Sequence, residues 1–219
     1  MPSSLGRSQA LYDSLTGAAY DYAVERPALA RVAGRLLWSA DIAVFYRPMD
    51  AIAEAPDGAV ILDVPCGGGV ALRRLGRGQR LRYLAVDYSP GMLERTRRVA
   101  SELGLTGVEY VQADVGALPF DDASVDLCVS SAGLHCFPDP ARAVAEIARC
   151  LRPGGRLVGS MAVCGTSARH DAQMALFRRT GALGPGGTQS DLEAWVRGAG
   201  LSDLQTERSG ALVRFEARK

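Results

Sequence analysis

Three carboxylates and one hydroxyl stand at the ends of short apolar runs. They are Asp63 in ILDVPCGGG, Asp87 in YLAVDYSPGML, Asp114 in VEYVQADVGALPF and Ser130 in VSSAGLHCF. Asp63 runs directly into Pro65, Cys66 and the glycines Gly67, Gly68 and Gly69. A strand that meets a glycine-rich turn and then a helical stretch presents bare backbone and outward amides to part of a nucleotide-like ligand. Asp87 follows Gly67 by 20 residues. At that distance, after the second strand of a βαβ unit, a carboxylate meets a ribose diol and accepts from both hydroxyls. Asp114, after the third strand, is placed to accept from an exocyclic amine such as that of adenine. The small residues Ser130-Ser131-Ala132-Gly133 leave room above the fourth strand.

Each feature also has a structural explanation. A glycine triplet serves any tight turn that needs positive φ, and an acid after a strand often caps the next helix. Ser89, just before Pro90, is better placed for that cap, which releases Asp87 for a ligand. Pro65 fixes φ near about −65° and removes an amide hydrogen. It also biases Val64 towards an extended conformation, which suits a strand exit.

The elements that must hold these residues follow from periodicity. Strand-like runs cover Ala59–Val64, Leu81–Val86, Val108–Gln112, Val125–Ser130 and Arg156–Val163, with helical stretches at Val70–Leu75, Pro90–Leu103 and Pro140–Leu151 between them. Such alternation predicts an α/β fold, a doubly wound and mostly parallel sheet with helices on both faces. Thr188–Gly200 reads as an amphipathic helix with Leu192, Trp195 and Val196 inward. Leu204–Ser209 and Ala211–Ala217, joined at Ser209-Gly210, read as a hairpin. The expected organisation is one domain: a helical, aromatic-rich cap over 1–55, a core over 58–163, a variable, mobile glycine-rich connection around a short helix-like piece over 164–187, and a C-terminal helix and hairpin over 188–219.

The chain has 219 residues with 47% hydrophobic content, enough to bury one core. Its formal net charge is +1, which gives no global pull towards nucleic acid or anionic membrane, and Lys219 is the only lysine. The arginines fall on predicted helices and a turn and read as a solvated face. No apolar run is long enough for a membrane span, and the start lacks the apolar stretch of a signal peptide. The five cysteines show no CxxC and no metal-ligand spacing with the two histidines, so they read as free thiols in a reducing cytoplasm.

Taken in order and spacing, ILDVPCGGG, YLAVDYSPGML, VQADVGALPFDDASVDLCVSSAGLHCFPDP and ARAVAEIARCLRPGGRLVGSM resemble the class I S-adenosylmethionine-dependent methyltransferases, in particular the small-molecule branch with the ubiquinone/menaquinone C-methyltransferases. The resemblance covers roughly residues 58–163 and fades over 1–55 and 164–187. It implies a seven-stranded Rossmann-like sheet with an antiparallel last strand and an N-terminal helical lid. It implies S-adenosylmethionine as cofactor and S-adenosylhomocysteine as product. By position, Asp63, Pro65, Cys66, Gly67 and Gly69 would surround the methionine and ribose portions. Asp87 would hold the ribose hydroxyls, Tyr88 and Met92 would flank adenine, and Asp114 and Val115 would meet its amine and ring. Ser130 would approach the methionine amino group through its backbone, and Tyr20 resembles a lid tyrosine. The family usually has glycine where this chain has Pro65.

In this reading the cofactor brings its own electrophile and the protein orients an acceptor. His135 is the candidate general base, with a pocket-lining role as the competing reading; His170, in the glycine-rich connection, reads as a surface residue, with a substrate-facing role as the competing reading. The implied partner is a small organic acceptor (a quinone, lipid or secondary metabolite, methylated at oxygen or carbon), for a monomer or homodimer. A nicotinamide-dependent oxidoreductase would need GxGxxG directly after the first strand. An S-adenosylmethionine-binding protein performing a non-methylating step such as cyclisation would share the same binding residues, as would a degenerate partner subunit.

Overall fold

The computed structural model describes residues 26–219 apart from Arg77. Tyr20, and the part of the predicted cap before residue 26, lie outside the described residues. Helix α1 spans Pro27–Trp38 and is followed by the short α2, Ala43–Tyr46, and a 3-10 segment, Arg47–Ile52. Then come β1 (Val60–Asp63), a 3-10 turn (Val70–Arg74), β2 (Arg82–Asp87), α3 (Pro90–Glu102), β3 (Val108–Gln112) and β4 (Val125–Ser131). Helix α4 (Pro140–Cys150), β5 (Leu151–Ala162), α5 (Ala168–Thr180), α6 (Gln189–Gly198), β6 (Ser202–Ser209) and β7 (Leu212–Arg218) complete the chain.

The seven strands form one sheet in the order β3-β2-β1-β4-β5-β7-β6. The first five are parallel neighbours. Strand β7 runs antiparallel between β5 and β6, so β6 takes the edge. The doubly wound sheet is as expected.

Period-two alternation assigns the two faces. Leu62, Leu84, Val86 and Cys128 point to the face covered by α4 and α6, through Val144, Ile147, Leu192 and Val196. Ile61, Tyr83, Ala85, Leu127 and Val129 point to the other, covered by Leu93 and Val99 of α3 and by Met49 and Ile52. Both faces are buried, so the central strands read as continuous apolar runs rather than alternating ones.

Three elements differ from expectation. The stretch after the glycines is a five-residue 3-10 turn and not an α-helix, with Gly69 at its start and no side-chain cap. It is too short to carry a helix-end anion site, so the amides of the turn itself must do any binding there. Strand β5 begins at Leu151, not Arg156. Val125 pairs with Leu151 and Leu127 with Arg156, and Pro153-Gly154-Gly155 form the bulge that absorbs the shift. The connection after β5 holds a full helix, α5. Ser167 caps it by accepting from the His170 amide, and Gly181, at φ +80°, ends it.

Candidate cofactor and substrate site

Because β1 to β5 are parallel, their C-terminal ends form one rim. Asp63 closes β1 in register with Ala85 and Val129, and Asp87 closes β2 opposite Gln112. Ser130 stands near the end of β4. Asp114 follows β3 by two residues. The topology thus brings together the residues that the spacing singled out.

The turn after β1 is built by cross-links to β2 and α3. The Cys66 amide donates to Val86 O at 2.8 Å, and the Gly67 amide donates to Asp87 Oδ2 at 3.0 Å. Thr96 Oγ1 donates to Gly67 O at 2.7 Å. Gly67 has φ +51° and Gly69 φ +82°. A Cβ at Gly69 would sit 3.1 Å from Thr96 Cα, whereas one at Gly67 would meet nothing within 4 Å. Gly69 is therefore glycine for packing, and Gly67 leaves an open backbone face. The Val64–Pro65 peptide is cis. Pro65 Cδ lies where a side chain on Gly133 would fall, so Gly133 lets the turn after β4 approach the turn after β1.

Asp87 is not free. Its Oδ1 also accepts the Ser89 amide, at 2.9 Å, while Ser89 Oγ caps α3 by accepting from Met92. The carboxylate is preorganised by these two amides. Asp63 is 2% exposed and accepts from Tyr83 Oη at 2.7 Å. Burial raises its pKa to about 7; the tyrosine bond opposes that rise and the Asp87 charge adds to it. Burial, and then the charges of Asp87 and Asp63, push the Cys66 thiol well up, which keeps it un-ionised and not nucleophilic. Tyr83 and Thr96 are the site residues that sequence reasoning missed. Both lie inside elements whose pattern signals only packing.

Around the rim, Tyr88 is 40% exposed and its carbonyl accepts from Gln112, while Met92, four residues on, is buried. Asp114 is exposed and accepts the Gly116 amide at 2.8 Å, with Val115 buried. Ser130 is fully buried, and neither its hydroxyl nor that of Ser131 has a partner among the described residues.

His135 does not have the geometry of a general base. Its Nδ1 accepts the Ala162 amide at 3.2 Å, and its carbonyl accepts the Gly184 amide at 3.0 Å. The hydrogen of the neutral ring then lies on Nε2, which leaves no lone pair to take a proton. Burial lowers its pKa to about 4. His135 ties the loop after β4 to the end of β5 and to the loop after α5. His170, expected at the surface, is 5% exposed. Among the described residues no cluster of three or more potential metal ligands occurs, and no helix is long and apolar enough to cross a membrane.

Residues 62–159 match the family model of the methyltransferase domain. A demethylmenaquinone methyltransferase of Clavibacter sepedonicus is 36% identical over 154 residues, covering 70% of this chain and 57% of that protein. An uncharacterized chloroplastic methyltransferase of Arabidopsis thaliana is 36% identical over 120 residues, covering 52% of this chain and 34% of that protein. The chain thus spans between about a third and a little over half of these relatives' lengths. Among solved structures, a phosphoethanolamine N-methyltransferase of Haemonchus contortus, in complex with phosphomonomethylethanolamine and S-adenosylhomocysteine, superposes with a TM-score of 0.76. That match has 15% identity and covers 97% of this chain and 60% of that one.

The core of the chain, residues 62–159, is thus similar to a methyltransferase domain. Its match includes relatives from the demethylmenaquinone and ubiquinone/menaquinone branch.

Proposed function

We propose that this protein transfers a methyl group from S-adenosylmethionine to a small organic acceptor. The observation that carries the reading is the Gly67–Asp87 pairing: an open backbone face at the end of β1 fastened to a buried carboxylate at the end of β2. A cationic sulfonium nucleoside fits this rim. Asp63 and Asp87 supply two carboxylates, Gly67 supplies backbone without a side chain, and Ser130 supplies a buried hydroxyl without a partner among the described residues.

Asp87 would hold the ribose hydroxyls, with Tyr88, Met92, Asp114 and Val115 around the base. Asp63, Pro65, Cys66, Gly67, Gly69 and Ser130 would line the methionine side. When bound, the cofactor supplies an electrophilic methyl group on sulfur. The protein's part is to bind, to orient and to exclude water. Asp63, half-protonated near pH 7, would give up its proton as a cation arrives. His135 holds the β4 loop in place and moves no proton. The five cysteines are free thiols, which supports a reducing cytoplasm as the protein's compartment.

Calorimetry with S-adenosylmethionine and S-adenosylhomocysteine tests the reading, with Asp87→Ala as control. Micromolar binding that the variant loses supports it; a folded chain that binds neither compound overturns it.

A further inference from the structure

Helix α1 turns its large apolar side chains outward. Of the seven large apolar or aromatic side chains exposed among the described residues, four lie on it: Leu29, Val32, Leu36 and Leu37. Leu29, Val32 and Leu36 stand three and four positions apart and share one face. The inward face is made of small residues, with Ala30 and Gly34 buried and Trp38, four residues on, half-buried. Gly34 explains the inversion. A Cβ there would sit 3.2 Å from both Ala40 O and Ile42 Cβ, so the helix leans on the turn that follows it and a large side chain has no room between them.

The exposed face belongs to a well-seated helix. The Ala211 amide donates to Trp38 O, and the Ala40 amide donates to Gly34 O. The Trp38 ring lies 6.2 Å from that of Phe177 on α5, and Arg169, also on α5, donates to Leu36 O. The Val163 amide donates to Ala211 O, so this end of α1 sits where β5 ends, on the rim side of the sheet.

Charge decides what such a face can meet. Helix α1 carries Arg31 and Arg35, both exposed, and no acid. Each precedes an exposed apolar residue, Val32 or Leu36, and Arg169 adds a third cation at Leu36. The acids in the adjoining sequence, Asp41 after α1 and Asp171 on α5, accept the Ala43 and Gly165 amides. A second copy laid on this face would set arginine against arginine, with no acid on the helix to pair them. An apolar face flanked by arginine fits the boundary between headgroups and acyl chains of an anionic bilayer. The helix has 12 residues. At about 18 Å it is too short to span a bilayer and would lie along its surface.

We propose that α1 docks this protein on an anionic phospholipid surface, with Leu29, Val32 and Leu36 entering the apolar boundary and Arg31 and Arg35 meeting lipid phosphates. The attraction is local, so a formal net charge of +1 does not oppose it. The docking stands apart from the methyl-transfer reading and goes beyond it.

The full chain is sedimented with vesicles of phosphatidylcholine and phosphatidylglycerol in equal parts, and with vesicles of phosphatidylcholine alone. Binding to the anionic vesicles is expected, and about tenfold weaker binding to the neutral ones. Val32→Asp combined with Leu36→Asp is expected to weaken binding about a hundredfold, and Arg31→Gln combined with Arg35→Gln about tenfold. All four positions are exposed, so both variants are expected to keep the wild-type melting temperature. No binding to the anionic vesicles, equal binding to both compositions, or undiminished binding by either variant overturns the proposal. If residues 1–25 or a second copy cover the face, the chain binds no vesicle. Light scattering then tells the two apart, because only the second copy gives a dimer that the aspartate variant dissolves.

Discussion

Asp87 accepts the Gly67 amide at 3.0 Å across 20 residues of sequence, and through this bond the turn after β1 and the turn after β2 become one rigid unit. The second oxygen of Asp87 holds the Ser89 amide and so sets the entry of α3. A residue expected to face a ligand therefore also organises the backbone that would touch it.

Asp87→Ala removes an acceptor from two amides and the carboxylate proposed to hold the ribose. Hydrogen bonds to charged groups contribute about 1.5–3 kcal/mol each. Cofactor binding is expected to weaken by about tenfold to a hundredfold, with a lower melting temperature, as read by calorimetry and thermal denaturation.

The two positive-φ glycines separate packing from binding. Gly69→Ala drives a Cβ against the α3 backbone, and its main effect is expected on stability, a loss of about 1–3 kcal/mol in denaturant titration. Gly67→Ala meets nothing in the protein, so the expected cost to the fold is smaller, about 1 kcal/mol of backbone strain. Its Cβ covers the open face, so its larger effect is expected on S-adenosylmethionine affinity.

Asp63 ties cofactor affinity to pH. Its folded pKa of about 7 lies above the unfolded value of 3.8, so the folded state holds the extra proton between those limits. Stability from this group is fully present below 3.8 and is lost as pH rises to about 7. Binding of a cation releases that proton. Affinity for S-adenosylmethionine is therefore expected to rise between pH 5.5 and 8, with proton release detected by calorimetry in buffers of different ionisation enthalpy. Asp63→Asn flattens both trends.

His135 titrates in the opposite sense. Burial lowers its pKa from 6.5 to about 4, so its contribution is present above 6.5 and is lost as pH falls towards 4. His135→Asn is expected to lower stability by about 1 kcal/mol, for one hydrogen bond. It is expected to cost less than tenfold in methyl-transfer rate, whereas loss of a general base costs about a hundredfold or more.

The parallel strands were legible because both sheet faces are covered, and short apolar runs such as YLAV have few other folds open to them. The rim acids were legible because topology places every such residue at one edge. Helix α5 was not. Its apolar positions are sparse and its arginines many, and the glycines on either side, which stop the helix and let the loop approach Cys136 and Phe137, read as looseness. The burial of His170 followed from that helix and was missed with it. Tyr83 was hidden for another reason: within an apolar run, a tyrosine whose hydroxyl serves Asp63 looks like any large core residue.

The Asp41 amide donates to Ser209 Oγ and the Ala211 amide to Trp38 O, so the end of α1 is held by the turn between β6 and β7, 168 residues away. Gly210 lies against the carbonyls of Trp38 and Ser39, so a side chain there has no room. On a ribosome, α1 emerges well before its anchor exists. The helix made early is seated only when the hairpin is complete.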